Sequence, residues 1–375
     1  MKILLLGEAS YLHNTLKKGL LERGHQVVLV SDGNNWHNSP RDIDLRRNMN
    51  RWGKLSGLMV LWKILTHLST FCGNDIVQIH NYQFVPLMPF WNKWIFKFLK
   101  VTNHKVVKGC WGDDPQIFKM QAKGIPAYSD TFWNGQLQNI EANKKRIAEQ
   151  MMPSFKECWY YTSIHADALV PCLYEYYLCY HTPVFQSKLH YISLPMEIPF
   201  ENKLAIKENE NIIKVLVGLQ PKREFLKGAL KIAQFVETVA KKHPNKIDIN
   251  YVQGVPYEEY CRMIAESDVI VDQFYSYTPS MNSLAAMARG TVVIGGGEEE
   301  YYQFIGEQKL RPIINVSPEY PDEKNVSIIE NALFIDGNLT ELSRQSIAFV
   351  KKYHDYRKVA AEYEMLYKSL LSMDE

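Results

Sequence analysis

Between Ser267 and Glu300 the chain reads S-D-V-I-V-D-Q-F, continues through T-P-S, and closes on A-A-M-A-R-G-T-V-V-I-G-G-G-E-E-E. These residue types suit a phosphate. A Thr or Ser cap followed by Pro at the first helical position, here Thr278-Pro279-Ser280, leaves backbone N–H groups aimed out of the helix start. An ordinary strand–helix connection would read the same way. Asp272 and Gln273 close the preceding strand at the same sheet edge, where side chains point towards a ligand. General acid–base work needs a carboxylate or an imidazole held near the reacting atoms, and the first half of the chain offers Glu8, His13, His80, Asp113 and Asp114 at or just after strand ends. A histidine at a strand end is more often a hydrogen-bonded structural residue than a base.

The elements that must position these groups follow from periodicity. Lys2 to Leu6 is an apolar strand opening into Gly7-Glu8-Ala9-Ser10, Leu12 to Arg23 has helical spacing with a Gly24 stop, and Gln26 to Ser31 is the next strand. This β-loop-α-β start begins a doubly wound parallel sheet whose ligands sit at the carboxyl edge. The full G-x-G-x-x-G is absent, so dinucleotide binding is not indicated. Further strands are expected at Asp75 to His80, Lys105 to Cys110 and Cys158 to Thr162. A polar, aperiodic stretch then gives a linker at 198–212, and a second βα array restarts with strands at Ile213–Val217, Ile247–Val252, Asp268–Val271, Thr291–Ile294 and Ile313–Val316. Ala285 to Ala288 are small residues of a tightly packed helix. The expected architecture is α/β, with two Rossmann-like doubly wound domains facing a central cleft, 1–197 and 213–354. A helical tail, 355–375, carries the stripe Val359, Tyr363, Leu366, Leu370, and either returns to the first domain or packs on its own.

With 375 residues, 46% of them apolar, the chain can build two cores. Its six cysteines lack C-x-x-C spacing, which points to reduced thiols, a cytoplasmic setting and no zinc site. No apolar run is long enough to span a membrane. Net charge is +2, but residues 1–200 hold 22 Lys/Arg against 15 Asp/Glu (+7), and residues 201–375 hold 21 against 26 (−5). The basic excess includes Arg41, Arg46, Arg47, Arg51, Lys54 and Lys63, then Lys93, Lys97 and Lys100 among Phe90, Trp91, Trp94, Phe96 and Phe98. That second run reads as an interfacial helix on an anionic membrane surface, or as a buried helix with snorkelling lysines. A near-neutral total and the lack of a recognition motif argue against nucleic acid.

The 267–300 segment resembles the donor-binding signature of GT-B glycosyltransferases, especially glycosyltransferase family 4, in which S-D-V-x-V leads to a helix ending E-A-M-A-x-G-x-P-V-V and then G-G-x-x-E. The resemblance implies a retaining transfer of a sugar from a nucleotide-sugar donor to a glycan or lipid-linked acceptor; no cofactor and no metal are expected, because no D-x-D lies at a strand end beside this segment and Arg223 with Lys227 can neutralise the diphosphate. The family's two glutamates fall here on Tyr277 and Ala285, neither of them acidic. Ser280, Asn282, Ser283 and Glu298 then become the substitutes for those donor contacts. Val215 to Gly228 is similar to the family's V-G-R-x-x-x-x-K-G, with Gly218 at the turn, Lys227-Gly228 matching, Leu219 at the usual Arg position, and Arg223 or Lys222 taking over the phosphate role. Gln253 and Val255 fall where the family lines the nucleobase. On the acceptor side the resemblance implies Gly7, Glu8, Ser10, His13 and Trp111, with His80, Asp113 and Asp114 as the catalytic candidates; Trp111 replaces the His of the family's H-G-x-D. The rival reading is a non-catalytic GT-B protein that binds a glycan or a partner, and a sugar-nucleotide epimerase on the same fold is a third.

Overall fold

A computed structural model of the chain describes residues 1–33, 38–138, 140–199, 212–219, 227–335 and 339–373. Its contacts divide into two units, one of Met1–Lys119, Lys144–Pro195 and Tyr356–Glu375, the other of Met120–Asn143 and Met196–Asp355.

The first unit is built on β1 (Lys2–Leu6), β2 (Gln26–Ser31), β3 (Ile43–Asp44), β4 (Ile76–Ile79) and β5 (Lys105–Gly109). A two-stranded hairpin, β6 (Phe132–Trp133) and β7 (Gln136–Leu137), intervenes before the sixth strand, β8 (Ala168–Val170). The six pair in the order β3-β2-β1-β4-β5-β8, all parallel. Ile3 to Leu6, Ile76, Val77, Ile79, Val106 and Val107 are fully buried, the continuous apolar runs of strands covered by helices on both faces. The order reverses between β1 and β4. Chains leaving those two strands diverge to opposite faces, which opens a crevice at their carboxyl ends.

Two expectations are corrected in this unit. Cys158 to Thr162 is not a strand but part of the helix Pro153–His165. Its buried residues, Phe155, Cys158, Trp159, Thr162 and Ser163, follow helical spacing, and Pro153 stands at the first turn, where a missing N–H costs nothing. Residues 120–143, read within a first domain of 1–197, belong to the second unit. Tyr128 is one of the ties within that unit, its ring stacking on Tyr277 with centroids 4.4 Å apart.

The helical tail breaks at His354-Asp355 into Leu339–Tyr353 and Tyr356–Ser372. The last helix packs in the first unit, against Leu12–Glu22, and buries Val359, Tyr363, Leu366 and Leu370. Gly19 permits that approach: a Cβ there would lie 2.5 Å from the Ala360 methyl.

The second unit contains β9 (Ile213–Leu219), β10 (Ile247–Gln253), β11 (Val269–Val271), β12 (Val292–Gly295) and β13 (Ile313–Asn315), parallel in the order β10-β9-β11-β12-β13. Val215, Val217, Val269, Val271, Val292 and Ile294 form its core with Ile232, Phe235 and Val236 of the helix Ala229–Lys242. The order reverses between β9 and β11. Most of the linker expected at 198–212 lies outside the described residues.

Candidate functional site

The first-unit candidates gather where β1 and β4 end. Gly7 takes φ +79°, and the His80 ring lies where its side chain would be, with a Cβ only 1.9 Å from Nδ1. His13 is fully buried. Its Nδ1 lies 2.7 Å from the Gly7 carbonyl, and its Nε2 lies 3.2 Å from Nε2 of Gln78, whose Oε1 accepts from the Tyr367 hydroxyl at 2.5 Å. Only one assignment satisfies this chain: His13 protonated on Nδ1, donating to Gly7 and accepting from Gln78. Burial pushes its pKa down to about 3, so His13 is a neutral structural bridge. Trp111 meets it edge-on at 5.0 Å and donates its indole N–H to the Val170 carbonyl at 2.9 Å. Glu8 is equally committed. Its carboxylate accepts from the backbone N–H groups of Ala9, His13 and Asn14 at 2.8, 3.1 and 3.0 Å and from the Asn14 amide at 2.6 Å. Burial raises its pKa against those four donors.

Ser10 and Tyr11 follow with φ of 51° and 66°, two successive non-glycine residues in the left-handed region. Such strain persists only where the surroundings enforce it, and it collects at ligand sites. Ser10 is exposed.

His80 differs from His13. It is half-buried, and among the described residues its Nδ1, itself shielded from solvent, has no hydrogen-bond partner. Desolvation lowers its pKa to about 4, with Asp32 pulling the other way. At neutral pH it is an uncharged imidazole suited to a hydrogen bond rather than to proton abstraction. Asp113 holds Arg146 through both oxygens at 2.9–3.1 Å and stays partly exposed. Asp114 is fully buried and not available as a base. One oxygen caps the helix Pro115–Gln121 by accepting from the Gln116 and Ile117 N–H groups at 2.9 Å, and the other accepts from the Tyr180 hydroxyl at 2.5 Å.

The second-unit candidates lie at its own strand-order reversal. Asp272 leaves β11 and receives Ser280 Oγ at 2.9 Å, Asn282 Nδ2 at 3.1 Å and the Ser283 hydroxyl. Gly218 of β9 belongs to the same cluster: a Cβ there would lie 2.4 Å from the Tyr260 hydroxyl. No sequence signal singles out Tyr260. The expected helix start, with Thr278 as cap and Pro279 in the first turn, lies two residues further on. The helix is Met281–Met287 with Ser280 as its cap, Pro279 precedes the cap, and the anion at its start is Asp272 itself. The three side chains expected to meet a donor instead hold this carboxylate.

Lys227 and Gly228 stand at the start of the 14-residue helix Ala229–Lys242, which has no side-chain cap. The Lys227 carbonyl accepts from Phe274 N–H at 2.8 Å, fixing this turn to the residues just after β11. Gly228 takes φ +74°, and a Cβ would come within 2.6 Å of Phe274. Arg223 and Lys222 lie outside the described residues. Gln253 is exposed and Val255 half-buried at the end of β10, an edge strand of the sheet. The Gln273 carbonyl accepts from Gly296 N–H at 2.9 Å.

Glu298 supplies a carboxylate beside Tyr277, whose carbonyl accepts from the Glu298 N–H at 3.1 Å. Tyr128 donates to Glu298 Oε1 at 2.5 Å and Asn315 Nδ2 to Oε2 at 3.1 Å. Burial and this carboxylate both raise the Tyr128 pKa. Where the resemblance implied a glutamate, the chain thus places a stacked tyrosine pair with a buried carboxylate behind it. Tyr128 is remote from both partners in sequence, so nothing local announces it.

No protein-family model and no curated protein matches the chain. Solved structures do. Sucrose-phosphate synthase from Thermosynechococcus elongatus superposes with TM-score 0.59 at 14% identity, covering 100% of both chains. HepE from Anabaena, in complex with UDP-glucose, gives 0.55 at 10% over 98% of this chain and 100% of that one. The catalytic domain of starch synthase IV from Arabidopsis thaliana, bound to ADP and acarbose, gives 0.57 at 11% over 99% of each. Likeness of this kind shows the fold, which is GT-B.

Proposed function

We propose that this chain, with two parallel-sheet units of the GT-B fold, transfers a sugar from a nucleotide-sugar donor to a glycan or lipid-linked acceptor with retention of configuration. The observation that carries the reading is the Lys227-Gly228 turn: a lysine beside the uncapped start of a 14-residue helix, at the carboxyl edge of a parallel sheet where its strand order reverses. Breaking a glycosyl–phosphate bond leaves growing negative charge on the diphosphate, and a fixed cation with oriented N–H dipoles stabilises it. HepE in complex with UDP-glucose and starch synthase IV bound to ADP support a nucleotide donor. On the acceptor side, Ser10 is exposed and His80 keeps a ring nitrogen with no hydrogen-bond partner among the described residues. A neutral His80 can orient an acceptor hydroxyl, and the departing phosphate can take its proton, so no strong base is required.

A non-catalytic binding protein is the second reading, favoured by Asp272 occupying Ser280, Asn282 and Ser283 and by the non-acidic Tyr277 and Ala285. Incubation with a panel of radiolabelled nucleotide-sugars separates the two. Transfer or slow donor hydrolysis supports the enzyme, and binding without either supports the rival.

Two further results are expected. Lys227→Ala weakens nucleoside diphosphate binding by about 1.5–3 kcal/mol, the cost of one charge-assisted hydrogen bond, while the melting temperature stays put. An unchanged dissociation constant in calorimetry removes Lys227 from the site. Donor binding and turnover should persist in EDTA, because no D-x-D lies at a strand end beside the 267–300 segment and Lys227 can neutralise the diphosphate without a cation. Loss of turnover in EDTA that Mg²⁺ or Mn²⁺ restores contradicts this.

A further inference from the structure

The helix Ser56–Thr66, sequence S-G-L-M-V-L-W-K-I-L-T, has no polar face. Ser56, Val60 and Ile64 are buried on one side. On the opposite side Leu58, Trp62 and Leu65 are 61%, 58% and 66% exposed, and Leu55 and Met59 continue the stripe. Just before it, Met49 and Trp52 are also exposed. Scattered apolar residues are normal on a protein surface, but a contiguous stripe of Leu, Met and Trp is an interaction face.

The charge around it selects the partner. Between residues 45 and 112 the sequence carries ten Lys/Arg and a single acid, Asp75. Arg46, Arg47, Asn48, Met49 and Asn50, with Asp44, line a shallow depression of about 480 Å³ at the approach to the helix. Arg46 is half-exposed, with Asn38 Oδ1 at 2.9 Å and Asp44 at a longer 3.4 Å from its guanidinium, and Arg51 lies over the exposed Trp52 ring at 5.3 Å. The run that sequence alone places at the membrane is less suited. In the helix Pro89–Thr102, Phe90, Trp91 and Trp94 are exposed, but Lys93 pairs with Glu157 at 2.5 Å, Lys100 with Asp167 at 2.6 Å, and Lys97 sits 4.4 Å from the Trp94 ring centroid.

We infer that the 49–66 segment docks on an anionic lipid surface, with Leu58, Trp62 and Leu65 entering the headgroup–acyl boundary and Arg46 and Arg51 meeting lipid phosphates. An apolar stripe with a basic flank is the pattern of an interfacial helix. A second copy would bring two like-charged flanks together, and a nucleic acid would leave the leucine and tryptophan stripe without a partner. Among the described residues no helix is long and apolar enough to cross a membrane, so the contact is peripheral. This surface is independent of the sugar-transfer reading, and it gives a lipid-linked acceptor a place to arrive.

Flotation tests it, using the full chain with vesicles of phosphatidylcholine alone or with phosphatidylglycerol added. The wild type should float only with the anionic vesicles, and less as salt rises. Leu58→Ser/Trp62→Ser/Leu65→Ser should remain in the soluble fraction while keeping the wild-type melting curve and nucleotide affinity, since these side chains support no core. Arg46→Gln/Arg51→Gln should lower partitioning by about twenty-fivefold, near fivefold for each charge. A wild type that ignores anionic vesicles overturns the proposal, as does a triple variant that floats as well as wild type. Wild-type dimers that the triple variant abolishes, without vesicle binding, overturn it in favour of self-association.

Discussion

Lys108→Met is expected to destabilise the first unit by about 3–5 kcal/mol at neutral pH, the cost of leaving a buried charge without its partner. Lys108 points from β5 into the core with no exposure. Its ammonium donates to Ser163 Oγ at 2.7 Å and to the Tyr180 hydroxyl at 3.3 Å; that hydroxyl also accepts the Trp159 indole N–H at 2.8 Å and donates to Asp114. Burial lowers the lysine's pKa and raises that of Asp114, and each group opposes the other's shift. Without the lysine the Asp114 pKa rises further. A carboxylate whose folded pKa lies above its unfolded value favours the folded state only where it is protonated. The deficit should therefore be larger at pH 8 than at pH 5 in denaturant titrations. Lys108→Met/Asp114→Asn should regain most of it, since Asn also caps a helix. A loss that is small, or equal at both pH values, contradicts the network.

Gly7→Ala is the second large effect. Its φ of +79° costs a non-glycine residue about 1–3 kcal/mol, and a Cβ lying 1.9 Å from the His80 ring adds overpacking of about 1–3 kcal/mol. Removing the ring relieves only the second contribution. The losses from Gly7→Ala and His80→Ala should thus fall short of additivity by about 1–3 kcal/mol. Strict additivity would mean that the ring does not press on the glycine.

The sequence discloses what is local. Apolar runs such as Lys2–Leu6 and Val292–Gly295 are visible because parallel strands bury both faces, and both sheets can be anticipated on that basis. Cys158 to Thr162 misleads because C-W-Y-Y-T is rich in strand formers, although Phe155, Cys158, Trp159 and Thr162 already have helical spacing. Ala168–Val170 is too short and weakly bounded to signal a strand. Other features depend on distant partners. No spacing announces that Asp272 gathers Ser280, Asn282 and Ser283, that Tyr128 stacks on Tyr277, or that Asp114 faces a buried lysine. Residues that look reactive, Glu8, His13 and Asp114, are instead spent on capping and bridging. The apolar outer face of Ser56–Thr66 is readable, since eleven residues there include one charge, but its exposure is not.

The central claim is a diphosphate site at Lys227-Gly228. Calorimetric titration of the wild-type chain with a panel of nucleoside diphosphates in EDTA tests it most directly. At least one diphosphate should bind one-to-one, more tightly than its monophosphate because the second phosphate meets the lysine and the helix start. Folded protein that binds none of them, or that binds monophosphate and diphosphate equally well, contradicts the account.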